Sequence, residues 1–261
     1  MNSPDYKEYA QFAEQLADKA REVSLKYFRQ QLDIDIKSDE SPVTIADRET
    51  EQCIRGLIEK HYPEHGFFGE ESGADNSRNR FTWVIDPIDG TKSFVAGMPL
   101  YGTLIALLED GKPVVGVVDM PAMSERWTGI KGEPTLFNGQ PVQSKVSSEL
   151  NQVIWYTTSP AYFAGADHAP FATLEAQLPA CRFGIDCYAF GLLASGFVDL
   201  VIETQLKPYD YLALVPVIEG AGGRVTDWQG EPLGLDSCGQ VVACADQALH
   251  DKALSLIASA Q

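Results

Sequence analysis

The sequence predicts a mixed fold, α+β in its first half and α/β in its second. Two patterns carry this. Up to Phe137 the chain reads as helices followed by consecutive strands joined by tight turns, whereas beyond Val153 strands and helices alternate. A length of 261 residues, 44% hydrophobic and 22% charged, supplies an ordinary globular core for one large domain or two lobes. The best boundary is Gly139–Glu149, dividing an N-terminal half (1–145) from a C-terminal half (146–261).

In chain order, Phe12, Leu16, Ala20, Val23 and Tyr27 recur at helical spacing and predict a helix over Tyr9–Phe28. Leu32–Lys37 alternates as a short strand, and Ser38–Pro42 is a polar turn. A second helix is expected over Ile45–His61, with Ile54, Leu57 and Ile58 inward and Pro63 beyond its end. Gly66–Gly69 reads as a strand, Ala74–Arg80 as an exposed loop, and Val84-Ile85 as the end of a buried strand. Gly102–Leu108 and Pro113–Val118 flank an Asp110-Gly111 turn and predict a hairpin. Arg126–Gly129 and Thr135–Phe137 are further strands, with a turn at Asn138–Pro141. The second half offers strands at Val153–Tyr156, Val198–Glu203, Arg224–Thr226 and Val241–Ala243. Its helices are expected at Ala169–Gln177, Cys187–Ser195, Tyr209–Gly220 and Gln247–Ser259, placing helices on both faces of the strands.

Composition narrows the function. A formal charge of −17 argues against a nucleic-acid partner, which calls for a basic face. It suits a protein that takes divalent cations or a cationic ligand. No apolar run is long enough to span a bilayer, and the polar start Met1–Asp5 lacks a signal pattern, so no membrane partner and a cytoplasmic location are expected. Five cysteines without a CxxC pair read as reduced thiols, and four scattered histidines give no zinc motif.

The chemistry concentrates in carboxylates. In Asp86-Pro87-Ile88-Asp89-Gly90-Thr91 an apolar run delivers two aspartates to a stiffened turn, a geometry able to hold hard cations through oxygen. Asp-Pro and Asp-Gly are equally ordinary turn dipeptides. Glu70-Glu71 follows a glycine and two aromatics, but such pairs are commonly solvated. Asp47, three residues after Thr44, reads as a capping-box partner, and Asp210 as a favourable charge in a first helical turn. Residue by residue, both readings stand.

The order and spacing of Gly69-Glu70-Glu71, Asp86-Pro87-Ile88-Asp89-Gly90-Thr91 and Tyr209-Asp210 with Gly222-Gly223 resemble the inositol monophosphatase family of magnesium-dependent, lithium-sensitive phosphatases, over nearly the full chain. Tyr209 stands where the family usually has Trp, which keeps an aromatic there. The resemblance implies a layered α-β-α-β-α sandwich and a phosphate monoester as substrate. It implies that Glu70, Asp86 and the Ile88 carbonyl bind one Mg²⁺, that Asp86, Asp89 and Asp210 bind a second, and that a third, weaker ion sits near Glu70. Glu70 and Thr91, with Asp47 behind Thr91, would orient and deprotonate the attacking water. Asp89, Gly90 and Thr91 would meet the phosphate. Relatives are commonly dimers, so a homodimer is expected. The aspartates are three apart, which excludes the DxDxT spacing of aspartyl-phosphate enzymes, and no P-loop or GxSxG elbow is present.

Between Asn151 and Gly220 the only Lys or Arg residues are Arg182 and Lys207, so no basic cluster is visible for a second phosphate. Gly184–Gly191 and Leu206–Asp210, with Lys92-Ser93-Phe94 and Arg126-Trp127, look like the histidinol-phosphate phosphatase branch. That likeness implies hydrolysis of L-histidinol phosphate in histidine biosynthesis. Asp186 and Glu203 would meet the cationic end of the substrate, and Arg182 would add polar contacts or packing. A general inositol or sugar monophosphatase is the alternative enzyme. A non-catalytic metal- or phosphate-binding regulator is the alternative of another class.

Overall fold

The computed structural model describes residues 6–36, 42–75, 79–146 and 149–260. Helices α1 (Tyr6–Tyr27) and α2 (Ile45–His61) pack side by side, and the short pair β1 (Asp35–Ile36) and β2 (Pro42–Val43) lies between them in the chain. The expected Leu32–Lys37 strand is thus cut to two residues; Lys37 and, apart from Pro42, the polar turn lie outside the described residues. Next come β3 (Gly66–Gly69), β4 (Gly73–Asp75), β5 (Phe81–Asp89) and the short helix α3 (Thr91–Val95). Ala74 and Asp75, expected in a loop, pair with β3 instead. The meander β6 (Gly102–Glu109), β7 (Lys112–Met120), β8 (Glu125–Ile130), β9 (Leu136–Phe137) and β10 (Gln140–Pro141) completes an eight-stranded sheet of order β10-β9-β8-β7-β6-β5-β3-β4.

Turn chemistry sets its register. Asp110 and Gly111 both have positive φ (49° and 75°), as do Asn138 and Gly139 (46° and 77°), so two-residue primed turns close β6–β7 and β9–β10. Alternation then assigns the faces. Trp83, Ile85, Ile105, Leu107, Val115 and Val117 bury against α1 and α2, while Val84, Leu104, Ala106, Leu108 and Val118 bury on the opposite face. With both faces covered, the strands read as continuous apolar runs rather than alternating ones.

The second half contains β11 (Trp155–Thr157), α4 (His168–Gln177), β12 (Arg182–Phe183), α5 (Tyr188–Ala194), β13 (Leu200–Glu203), α6 (Pro208–Tyr211), α7 (Leu214–Gly220), β14 (Arg224–Thr226), β15 (Val241–Cys244) and α8 (Gln247–Ala258). Its five-stranded sheet, β12-β11-β13-β15-β14, is parallel on one side and antiparallel on the other. The helices α5 and α7 fill the space between the two sheets, and α4 and α8 pack together on the outer side. The layers therefore run α, β, α, β, α. One expected element is split: instead of a continuous helix over Tyr209–Gly220, the chain turns at Leu212-Ala213. Pro216, which has no N–H to donate, falls in the first turn of α7, where that loss is tolerated.

Candidate functional site

Asp86 and Asp89 would point to opposite faces of a regular strand, because they are an odd number of residues apart. Asp86 pairs with Leu104 and Asp89 with Gly102, so three steps on β5 match two on β6. This bulge inserts one extra residue and turns both carboxylates to one side. Pro87 lies within the bulge, and its carbonyl accepts from Thr103 Oγ1 at 2.9 Å. Asp86 Oδ1 accepts from the Ile88 N–H at 3.0 Å, which closes the turn locally. Ile88 itself is buried with Ala46, Phe94 and Tyr101 in a small cluster beneath the motif.

The third carboxylate arrives from the other half of the chain. Asp210 sits in the first turn of α6, its Oδ2 accepting from the Lys207 N–H at 2.7 Å, and α6 packs on β5 and β6. Tyr209 meets Phe68 edge-on, with ring centroids 5.9 Å apart, fixing α6 against β3. Carboxylate oxygens of Asp86, Asp89 and Asp210 all lie within 4.8 Å of one another. Glu70, just beyond β3, adds its charge to theirs. Burial, followed by the neighbouring carboxylates Glu70, Asp89 and Asp210, pushes Asp86 well above the usual carboxylate range. Burial and Asp89 do the same to Asp210. For Asp89, burial and then Asp186 outweigh the hydrogen bond from the Cys187 N–H (2.8 Å) and raise it to about 7. All-oxygen donors in such mutual conflict fit a hard divalent cation, which removes the repulsion.

Glu51, which the sequence reading passed over, shapes the rim. Its buried carboxylate accepts from the N–H groups of Glu71 and Ser72, both at 2.8 Å, and so pins the loop that carries Glu70. A Cβ at Gly69 would overlap that carboxylate and push it off the two N–H groups it holds. The available signal was Glu51 lying one turn after Asp47 on α2, on the side of the helix that goes on to bury Ile54 and Ile58. Asp47 closes the capping box, accepting from Thr44 N–H at 2.8 Å and Thr44 Oγ1 at 2.7 Å. Thr91 Oγ1 lies 3.1 Å from the Ile88 carbonyl and 3.4 Å from Asp47 Oδ1. Capping and proximity to the motif coexist at Asp47.

Gly90 has φ 81° and precedes α3; a Cβ there would come 2.8 Å from Asp186 Oδ2. Asp186, in the loop before α5, accepts from Ser93 Oγ at 3.0 Å and so borders the aspartate motif directly. Glu203 lies deeper, buried at the end of β13, where it accepts from Thr158 N–H (2.6 Å), Thr158 Oγ1 (2.9 Å) and Thr157 Oγ1 (3.2 Å). Burial raises it to about 8 despite those bonds. Arg182 is exposed on the edge strand β12. The structure therefore brings Glu70, Asp86, Asp89, Asp210, Gly90, Thr91, Asp47 and Asp186 together, and sets Glu203 and Arg182 apart from them.

Fold and site together place a cluster of carboxylates able to hold a metal ion at the meeting of two halves of a five-layered α/β protein. The family model for the inositol monophosphatase family matches residues 5–261. A "Bifunctional phosphatase IMPL2, chloroplastic" of Arabidopsis thaliana is 46% identical over 255 residues, covering 94% of this chain and 74% of that protein. A "Histidinol-phosphatase" of Chlorobaculum parvum is 37% identical over 235 residues, covering 89% and 91%. The solved structure of an inositol monophosphatase from Zymomonas mobilis superposes with a TM-score of 0.89 at 43% identity, covering 98% of this chain and 100% of that one. The chain belongs to the inositol monophosphatase family, whose enzymes are metal-dependent phosphatases, and it is a phosphoric monoester hydrolase. Among the described residues no helix is long and apolar enough to cross a membrane.

Proposed function

We propose that this enzyme hydrolyses L-histidinol phosphate to L-histidinol and phosphate, with Mg²⁺ as its cofactor. The observation that carries the reading is Asp186, an acidic side chain set against Gly90 and Ser93 at the edge of the aspartate motif. There it can receive an amine or imidazolium on the alcohol while the phosphate lies over the motif. Relatives called histidinol-phosphatase at 37% and 36% identity support it.

In this reading Glu70, Asp86, the Ile88 carbonyl, Asp89 and Asp210 hold two Mg²⁺, with Glu70 near any third. When bound, these ions supply Lewis acidity toward the attacking water and the leaving alkoxide. Thr91 Oγ1, placed by Asp47 and the Ile88 carbonyl, orients the water, and Glu70 accepts its proton. The N–H groups of Gly90 and Thr91, at the start of α3 and without partners inside that helix, receive phosphate oxygens, beside Asp89. Asp186 orients the cationic alcohol. Glu203 braces that wall through Thr158, and Arg182 lines its outer edge. No covalent phosphoenzyme is formed.

Asp186→Asn tests the assignment of the wall. It is expected to lower kcat/KM for histidinol phosphate about tenfold or more, mostly through KM, while a neutral ester such as inositol 1-phosphate changes little. Equal losses on both esters would remove Asp186 from substrate selection.

The metal assignment makes a second prediction. Asp86, Asp89 and Asp210 hold protons to higher pH in the folded metal-free protein than in the unfolded chain, where aspartate titrates near ~3.9. The contribution of Asp89 to stability is therefore complete below about pH 4 and is lost as pH rises through about 7, and Asp86 and Asp210, raised in the same direction, lose theirs as pH rises further. Magnesium binds the deprotonated cluster and offsets that loss. Its stabilisation should be small at acid pH and grow toward pH 8, where ligand at about a hundred times Kd is worth about 2.7 kcal/mol. For a chain of this size that is about 5–10 °C in Tm by scanning calorimetry. A gain independent of pH would place the bound ions elsewhere.

The second reading, an inositol or sugar monophosphatase, draws on the Zymomonas mobilis structure, described as an inositol monophosphatase. Inositol phosphate carries no cation, and this reading leaves the acidic group at Asp186 without a role.

A further inference from the structure

Against Lys92, two residues beyond Gly90, stands a wall built from the segment between β11 and α4. Its turn Pro160–Tyr162 is capped by Ser159 Oγ, which accepts from the Ala161 N–H at 3.2 Å. Three attachments tie it to the end of β13 and the residues just after it. Thr158 bonds to Glu203, the Tyr162 carbonyl accepts from Gln205 Nε2 at 2.6 Å, and Thr204 Oγ1 donates to Asp167. Tyr162 is thereby held in place, and its side chain receives a cation. Lys92 Nζ donates to the phenolic oxygen at 2.9 Å and lies 5.5 Å from the ring centroid.

Lys92 occupies a sensitive position. It lies between Thr91 and Ser93, and the Ser93 hydroxyl donates to Asp186. Its positive charge already acts on Asp186, lowering that carboxyl against the rise imposed by burial. Among the described residues, however, Lys92 and Asp186 form no ion pair. A lysine this close to an aspartate on a flexible stem would be expected to pair with it. The hydroxyl of Tyr162 instead offers the ammonium a hydrogen bond without a competing negative charge.

We propose that Tyr162 is a specificity-determining residue: by holding Lys92, it leaves Asp186 open to a positively charged group on the substrate alcohol. This rests on the reading of Asp186 given above. Without Tyr162, Lys92 turns to Asp186, neutralises it and repels the cationic alcohol. An ester of a neutral alcohol needs no contact with that carboxylate and is unaffected.

The test is a double-mutant cycle of Tyr162→Ala, Lys92→Met and the pair, assayed with histidinol phosphate and with glycerol 2-phosphate. Tyr162→Ala is expected to raise KM for histidinol phosphate about fivefold, with kcat and the glycerol ester unchanged. In the Lys92→Met background the same substitution should have no further effect. Tyr162→Phe, which keeps the ring but removes the hydroxyl that holds Lys92, should behave like Tyr162→Ala. Equal changes on both esters, or a Tyr162→Ala effect that persists without Lys92, would overturn the proposal. A crystal structure of Tyr162→Ala adds an arm independent of substrate. Lys92 Nζ must move within about 4 Å of Asp186, and a lysine that stays where it is refutes the proposal. Wild-type preference for the neutral ester would instead overturn the reading of Asp186, leaving the pairing test intact.

Discussion

Asp89→Asn is expected to abolish turnover and, in the absence of metal, to make the protein more stable. Both effects follow from the same two neighbours. Asp89 shares a space with Asp86 and Asp210 in which all three carboxylates hold protons unusually tightly. An amide keeps the shape and can still accept from the Cys187 N–H, but contributes no charge. On the proposed metal assignment, removing one charge from the cation site should lower kcat/KM about a thousandfold or more, ~4 kcal/mol of transition-state stabilisation. Relief of repulsion at pH 8 should raise metal-free stability by about 1 kcal/mol, a few degrees in Tm. Activity assays and melts on one preparation check the pair of outcomes. Retained phosphate release would refute the role of Asp89. Lost activity accompanied by a lower metal-free Tm would show a folding defect instead.

Gly116→Val should damage the site from a distance. Val84, Ala106, Gly116 and Gly129 lie in register across β5, β6, β7 and β8, and they become smaller along the row. The backbone of Ala213–Val217 lies directly on the two glycines, and a Cβ at Gly116 would overlap the Ala213 carbonyl. Seating α7 there fixes α6, which is joined to it through only Leu212-Ala213 and carries Asp210. An added isopropyl group, whose Cβ already meets backbone, cannot be absorbed by a rotamer change. The expected cost is about 3 kcal/mol or more, a Tm lower by about 6–12 °C for a chain of this size. The surviving folded fraction should need more Mg²⁺ for half-maximal activity. An unchanged Tm would mean that α7 does not rest on this part of the sheet.

The sequence and the structure agree where local chemistry decides the outcome. Asp110-Gly111 and Asn138-Gly139 specify primed turns by their backbone preferences, and the hairpins form there. The capping signal at Thr44 and Asp47 is present as read. What escaped depended on distant partners. The bulge at Asp86–Asp89 is fixed by pairing with β6, and no local residue announces it. The break between α6 and α7 is set by seating α7 on the glycine row, although Pro216 offered a hint. Gly116 and Gly129, inside apolar runs, were the corresponding sign of close backbone approach. In the site, the carboxylates were visible as motifs. The support from Glu51, the backbone donor at Cys187 and the Lys92–Tyr162 pair join residues 20 to 98 positions apart and are visible only in three dimensions.

The most direct test of the account is a comparison of kcat/KM for L-histidinol phosphate and inositol 1-phosphate on the purified wild-type enzyme, with Mg²⁺ and after its removal by chelation. The account predicts clear preference for histidinol phosphate, and turnover that vanishes without metal and returns when Mg²⁺ is restored. Preference for inositol 1-phosphate, or hydrolysis that survives chelation, would contradict it.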